Sequence, residues 1–267
     1  MNLSPTQLEE YEEDLIAFCD GELDRLGPIS GRDVLYAGGA APLWLEGLAG
    51  RIGREGSLTA LEADAERLAA ARGSLIPPAP EDDEAVVRLV AGDVFDPPFV
   101  RGSFDLVYSA GLLHELDVSE RSAALALGRL SELARPNGRL ATADFVDDFP
   151  ALQLEDEALE AELAALFGAR LYGIGAAGRL VALHRQCLDE VRYSVAKPVR
   201  LRNIEYLLQG DDFSRRAWEA GGSEGLLARR AAFLRRALGE GYTRPATVYI
   251  EGAPPTALPS ALPSALY

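Results

Sequence analysis

The sequence predicts an α/β fold built on a doubly wound, mostly parallel seven-stranded sheet with a helical insertion. Short apolar runs of strand length alternate with helical segments between residues 31 and 146. The first three runs end in glycine or an acidic residue at the point where a strand would hand over to a helix. A long stretch with mainly helical spacing, residues 151–244, then precedes one last strand-like run. Such alternation requires right-handed crossovers, which set parallel strands side by side with helices on both faces.

Composition narrows the possible functions. A chain of 267 residues with 48% hydrophobic and 25% charged residues is ordinary globular material, not collagen-like, disordered or coiled-coil. Its 26 basic and 42 acidic residues leave a net charge of −16. That field repels phosphate backbones and anionic membrane surfaces, so neither a nucleic acid nor a membrane is expected as partner. Cys19 and Cys187, beside only His114 and His184, form no disulfide framework and no zinc-like spacing. A reduced chain without a metal is expected. The first residues lack a basic segment followed by an apolar run, and no stretch of about 18 apolar residues occurs, so a cytoplasmic location is the expectation.

The elements follow in order. Residues 1–30 form an amphipathic helix, with Ser4 as N-cap, Pro5 at the first helical position and Gln7 completing a capping box. Leu8, Tyr11, Leu15, Phe18, Cys19, Leu23 and Leu26 share its apolar face, and Gly27-Pro28 ends it. Residues 31–150 carry the core. Asp33–Ala37 is the first strand and Gly56–Leu61 the second, closed by Glu62 and followed by a helix from Asp64 to Leu75. Prolines 77, 78 and 80 with acids 81–84 mark an exposed loop. Val86–Val90 is a third strand and Phe104–Tyr108 a fourth. Ser119 caps the next helix, whose Ala123, Leu127, Leu130 and Ala134 lie on one face, and Pro136-Asn137-Gly138 turns into a fifth strand, Arg139–Phe145. Five strands in this alternation describe a Rossmann-like core.

Ligands of such sheets bind outside the carboxyl ends of the strands, near the switch in strand order. Gly38 and Gly39 follow strand one, where glycine lets backbone approach a ligand and the next helix offers free N–H groups. Glu62 at the tip of strand two is placed to accept both hydroxyls of a ribose, or to act as a first-turn acid for the following helix. Asp93, after strand three, either faces the amine of an adenine or shapes its loop as an Asx turn. Ser109 to His114 follow strand four, and His114 is the one histidine at this edge, hence the candidate general base. A nicotinamide fingerprint needs glycines where Ala40 and Leu43 stand, and it gives Asp93 no role.

Five stretches carry a resemblance to a known family: Val34-Leu-Tyr-Ala-Gly-Gly-Ala-Ala-Pro42, Leu58-Thr-Ala-Leu-Glu-Ala-Asp64, Val90-Ala-Gly-Asp-Val94, Phe104 to Leu116, and Ala134-Arg-Pro-Asn-Gly-Arg-Leu140. In this order they resemble the class I S-adenosylmethionine-dependent methyltransferases, and the run Leu112-Leu-His-Glu-Leu116 resembles the small-molecule branch. The resemblance implies S-adenosylmethionine as cofactor and a small-molecule acceptor methylated on O, N or C. It implies a donor site in which Gly38, Gly39 and Ala40 approach the methionine part and Glu62, with Ala63, holds the ribose. Asp93 and the Val94 backbone would then face the adenine, and Tyr36 and Ser109 would border the donor. The family usually carries an acid two positions before its first motif glycine. Here that position is Tyr36, and the later motif glycines align with Ala40 and Pro42. A non-catalytic relative that binds a nucleoside-type ligand or a protein partner is the competing class.

Within 151–244, leucines 152, 154, 159, 163 and 166 suggest one helix and Leu180 to Val191 another. His184 is expected on a helix surface and Cys187 as a buried apolar residue. Tyr193, Val195, Val199 and Leu201 alternate like a strand that Pro198 confines to an edge. A substrate cap and extra helices packed on the sheet are equally compatible with this segment. Arginines 215, 216, 229, 230, 235, 236 and 244 make residues 213–244 basic. They would dock an anionic acceptor or pair with the acidic N-terminal helix. Residues 245–252 are the last strand of the core, and 253–267, with its repeated Ala-Leu-Pro-Ser, a flexible tail.

Overall fold

The structure is a computed structural model that describes residues 5–75, 83–114, 116, 120–146, 151–167, 176–201, 213–244 and 246–255. Seven strands form its main sheet: β1 (Asp33–Ala37), β2 (Ser57–Glu62), β3 (Val87–Ala91), β4 (Phe104–Ala110), β5 (Ala134–Phe145), β6 (Asp189–Ala196) and β9 (Thr247–Ala253). Their spatial order is β3-β2-β1-β4-β5-β9-β6. Strands β1 to β5 run parallel, and β9 is inserted antiparallel between β5 and β6. The order reverses at β1, whose Tyr36 pairs with Ala60 of β2 on one side and Tyr108 of β4 on the other. This junction creates the crevice in which such sheets hold ligands.

Central strands are apolar on both sides because helices cover both faces. Helices α1 (Pro5–Leu23) and α2 (Pro42–Ile52) bury Cys19, Leu23, Leu45, Leu48 and Ile52 against Val34, Leu58 and Leu106. On the opposite face α4 (Glu120–Leu133) and α6 (Ala177–His184) bury Leu127, Leu130 and Leu180 against Leu35, Val107 and Ile250. Helix α3 (Ala65–Ser74) starts at Asp64, whose carboxylate caps it by accepting from the N–H groups of Glu66 and Arg67. These two bonds hold the Asp64 carboxyl below the ordinary carboxylate range.

Segment 151–244 is not one helical insertion. Helix α6 and strand β6 belong to the core sheet, so the expected helix from Leu180 to Val191 ends at His184 and Val191 lies in β6. The expected strand through Tyr193 and Leu201 is two strands: β6 pairs with β9, whereas β7 (Val199–Leu201) pairs with β8 (Tyr242–Arg244) in a separate ribbon. Lys197 and Pro198 fall between them, where the missing N–H and fixed φ of proline interrupt no ladder. The remaining helices, α5 (Ala151–Leu166), α7 (Phe213–Glu219) and α8 (Glu224–Glu240), gather around their own apolar cluster of Leu159, Leu163, Phe213, Leu226 and Phe233. Leu15 of α1 packs against that cluster, joining it to the core.

Several arginines of 213–244 are paired with acids of α5. Arg229 meets Glu162 and Arg230 meets Asp156, each at 2.5 Å, and Arg236 pairs with Glu155. Packing of α5 against α8 sets these contacts, a tertiary arrangement that charge counting along the chain does not contain. Ser119, most of the 76–84 loop and the tail beyond residue 255 lie outside the described residues. Among those described, no helix is long and apolar enough to cross a membrane.

Candidate functional site

A cleft of ≈ 520 Å³ opens at the carboxyl edge of β1, β2, β4 and β5. One wall is the turn after β1. Gly38 adopts φ +74°, and a Cβ there would stand 2.4 Å from Leu112 Cδ1. Its N–H donates to Leu61 O at 2.8 Å, which fixes the turn to the end of β2. Gly39 is confined from beneath: a Cβ would stand 2.8 Å from the Tyr36 hydroxyl and ring. Both glycines are therefore required by the packing of the protein itself. Ala40 is buried, and Ala41 precedes Pro42, which opens α2. Ala41 offers no side-chain cap to the first turn of α2, whose Pro42 and Trp44 line the cleft.

Glu62, the last residue of β2, lines the next stretch of wall and is 5% exposed. Its Oε1 accepts from the Asp64 N–H at 2.9 Å, while Oε2 is buried with no hydrogen-bond partner. A buried carboxylate oxygen lacking a donor costs free energy, on the order of 1–3 kcal/mol or more for a charged group. A ligand bringing hydroxyl donors would satisfy it. Arg67, Ala70, Ala71 and Ser74 of α3 continue this wall.

Across the cleft lie Gly111, His114, Ala143, Asp144 and Phe145. Asp144 ends the buried part of β5 and is 3% exposed. Its Oδ2 accepts from the Leu113 N–H at 2.6 Å, and its Oδ1 from the Phe145 N–H at 3.0 Å. His114 Nδ1 lies 3.1 Å from the same Oδ1. The carboxylate thereby favours the proton on Nδ1 and directs Nε2 to the acceptor role. Glu157 of α5 is near enough for the imidazole to counter the upward push that desolvation gives its carboxyl.

The third end is built by α1 and α2. Phe18, Glu22, Tyr36 and Trp44 line it, and Glu22 is only 4% exposed. Sequence reasoning missed Glu22, Trp44 and Asp144, although two of them left a signal. Glu22 interrupts the apolar stripe between Phe18 and Leu26 at four-residue spacing, and Asp144 is the lone acid of its strand.

The other sequence candidates fall outside this lining. Asp93 is exposed, and its Oδ1 accepts from the Phe95 N–H at 2.9 Å, an Asx turn. Val94 is buried in the core, Ala63 is exposed, and Ser109 is buried in β4 with a hydroxyl that has no partner. His184, expected on a surface, is 0% exposed. Its Nδ1 bonds to Leu180 O at 2.7 Å and its Nε2 to the Thr142 hydroxyl at 2.9 Å. Cys187 is half-buried.

Residues 34–138 match a family model described as a methyltransferase domain. The cyclopropane-fatty-acyl-phospholipid synthase-like protein from Lactobacillus casei aligns over 89% of this chain and 90% of its own, at 16% identity and a TM-score of 0.61. The YcgJ protein from Bacillus subtilis aligns over 88% and 97%, at 14% identity and a TM-score of 0.55. A phosphoethanolamine N-methyltransferase from Haemonchus contortus, solved with phosphomonomethylethanolamine and S-adenosylhomocysteine, aligns over 92% and 53%, at 13% identity and a TM-score of 0.53. No curated protein matches the sequence. The fold is that of the class I methyltransferases. The match to the methyltransferase-domain model spans under half of the chain, and the solved structures, at 13–16% identity, share its fold.

Proposed function

We propose that the chain transfers a methyl group from S-adenosylmethionine to a small-molecule acceptor, with the donor lying along the β1–β2 edge and the acceptor beside His114. The observation that carries this reading is Glu62, whose partnerless buried Oε2 stands at the tip of β2 in a cleft of ≈ 520 Å³. A ribose supplies two adjacent hydroxyls to such an oxygen. That volume is typical of small-molecule sites, which run roughly 300–1,000 Å³. Gly38, Gly39 and Ala40 border the methionine part in this reading, with Tyr36 beneath them. Asp93, Ala63 and the Val94 backbone lie toward the base, and Ser109 supports the floor of the site from β4.

When bound, S-adenosylmethionine supplies an activated methyl on a sulfonium. The chain supplies position and proton transfer. Much of the acceleration comes from holding the acceptor atom in line with the methyl. His114, oriented by Asp144, takes the acceptor proton as the new bond forms. Helix α5, whose Glu157 senses the imidazole charge, borders the His114 end of the cleft.

The test is transfer of a radiolabelled methyl from S-adenosylmethionine to a small-molecule extract, a protein extract and RNA. The reading expects label in the small-molecule fraction alone. Label confined to protein or RNA overturns the acceptor class, and a wild-type chain that binds the donor and labels nothing favours a non-catalytic binding protein.

A further inference from the structure

Among the described residues, two buried side-chain oxygens without a hydrogen-bond partner belong to the lining of the cleft: Glu62 Oε2 and Thr247 Oγ1. In the sheet order β2-β1-β4-β5-β9 their strands stand four spacings apart, about 19 Å. Glu62 is at the donor end, so Thr247 is at the other. It opens β9, is 3% exposed, and lies outside the 34–138 match. The fold does not call for a hydroxyl there. Val248 and Ile250 are buried on the α4–α6 face of β9, which turns Thr247 and Tyr249 to the α1 face. Valine has nearly the same shape, fits a strand at least as well, and would leave no buried oxygen unsatisfied. A hydroxyl stripped of water and given no partner costs stability, a cost that a bound ligand with a polar group removes.

The neighbours of Thr247 define what that ligand is. Thr247 is directly opposite Phe145 in the β5–β9 register, and the Phe145 ring tilts against the His114 imidazole at 5.2 Å. Opposed residues of an antiparallel pair share a face with their Cβ atoms roughly 4.5–5.5 Å apart, so the threonine adjoins the wall that holds His114. Phe18 and Trp44 meet edge to face at 6.2 Å and line the same cleft from α1 and α2. Trp44 donates its Nε1–H to Glu22 at 2.7 Å, which fixes the indole. Ala143, two residues before Phe145 on the same face of β5, contributes only a methyl to this lining.

Resting on the proposed acceptor position beside His114, we infer that Thr247 is the hydrogen-bonding residue that selects and orients the acceptor, and that the acceptor is a flat, ring-bearing molecule with a polar group besides the one methylated. The rings of Phe18, Trp44 and Phe145 hold the flat body. Thr247 takes the second polar group, which sets the angle at which the first meets the methyl.

The experiment measures transfer of a radiolabelled methyl from S-adenosylmethionine to a dilution series of the small-molecule extract by wild type, Thr247→Val and Thr247→Ser. Calorimetry of S-adenosylmethionine on each chain and mass spectrometry of the labelled product accompany it. Thr247→Val is expected to need at least tenfold more extract for half-maximal labelling, with donor affinity within about twofold of wild type. Thr247→Ser keeps the hydroxyl and restores most of the labelling. An unchanged extract requirement in Thr247→Val overturns the inference, and so does a parallel fall in donor affinity, which marks a structural role. If Thr247→Val does not fold, the wild-type product decides: a ring bearing a second polar group supports the inference, and a product without a ring overturns it. A wild-type chain that binds the donor and labels nothing contradicts the acceptor reading itself, a distinct outcome.

Discussion

His114 Nδ1 and Asp144 Oδ1 lie 3.1 Å apart across the mouth of β4 and β5, and the same carboxylate accepts from the Leu113 and Phe145 N–H groups. Three donors converge on one buried acid, so the imidazole orientation is set by backbone as much as by charge. Asp144→Asn presents an amide N–H where one of those donors now points. The expected outcome is a fall in kcat of about 10²-fold with donor Kd unchanged, as for loss of an oriented general base. Steady-state kinetics beside donor calorimetry checks it. An unaltered kcat dismisses the base role, as would an active His114→Ala with the wild-type pH–rate profile.

The two motif glycines fail for different reasons. Gly38→Ala combines φ +74° with a 2.4 Å approach to Leu112, and should cost about 2 kcal/mol and disorder the turn. The three atoms nearest a Cβ at Gly39 all belong to the Tyr36 side chain, so shrinking Tyr36 to leucine in the same chain should recover most of the loss. Urea unfolding of the single and double variants measures this coupling; strict additivity contradicts the close approach of Gly39 to Tyr36.

Burial pushes His184 down to about 4 from its ordinary 6.5, against the Leu180 carbonyl and the Asp144 charge, which pull it up. Its folded-state value lies below its unfolded value. Stability from the neutral imidazole is therefore complete above about pH 6.5 and is lost as pH falls toward 4, because only the unfolded chain takes up the proton. At pH 5 the loss is about 2 kcal/mol. Unfolding at pH 7.5 and 5 should show His184→Gln with a drop smaller than wild type by that amount, and equal drops would refute the assignment.

Arg230 is 7% exposed, pairs with Asp156 at 2.5 Å, and lies over the Phe213 and Phe233 rings at 4.7 and 4.9 Å. It joins α5, α7 and α8 through charge and ring contact together. Arg230→Met keeps the stem packing and removes the cation beside a largely buried acid, so about 2 kcal/mol should be lost. Hydrogen exchange should show the loss first in α5 and α8 amides while donor affinity stays within twofold. Loss spread evenly over the core sheet would contradict a separately packed helical cluster.

Local chemistry made the core readable. Asp33–Ala37 is the strand the sequence predicts, Glu62 ends β2, and Asp64 begins α3 at the expected cap. These elements are fixed by apolar runs and by turn and capping residues a few positions apart. Strand β6 was obscured because it is the sheet edge, with Tyr193 and Val195 on its exposed side and its pairing partner some 55 residues on in β9. The arginine partners were hidden for the same reason, since Arg229 and Glu162 meet only after α5 and α8 pack. Glu62 and the glycine turn were legible as motif positions. Glu22 was hidden in a helix whose many acids read as solvated, and only its place on the apolar face sets it apart.

The central claim is that Glu62, through its partnerless Oε2, holds the ribose of S-adenosylmethionine. Calorimetry on wild type and Glu62→Ala tests it most directly. The account predicts micromolar binding of S-adenosylmethionine and S-adenosylhomocysteine to wild type, lost by at least 100-fold in Glu62→Ala. Absence of binding at millimolar ligand, or an affinity that Glu62→Ala leaves unchanged, would contradict it.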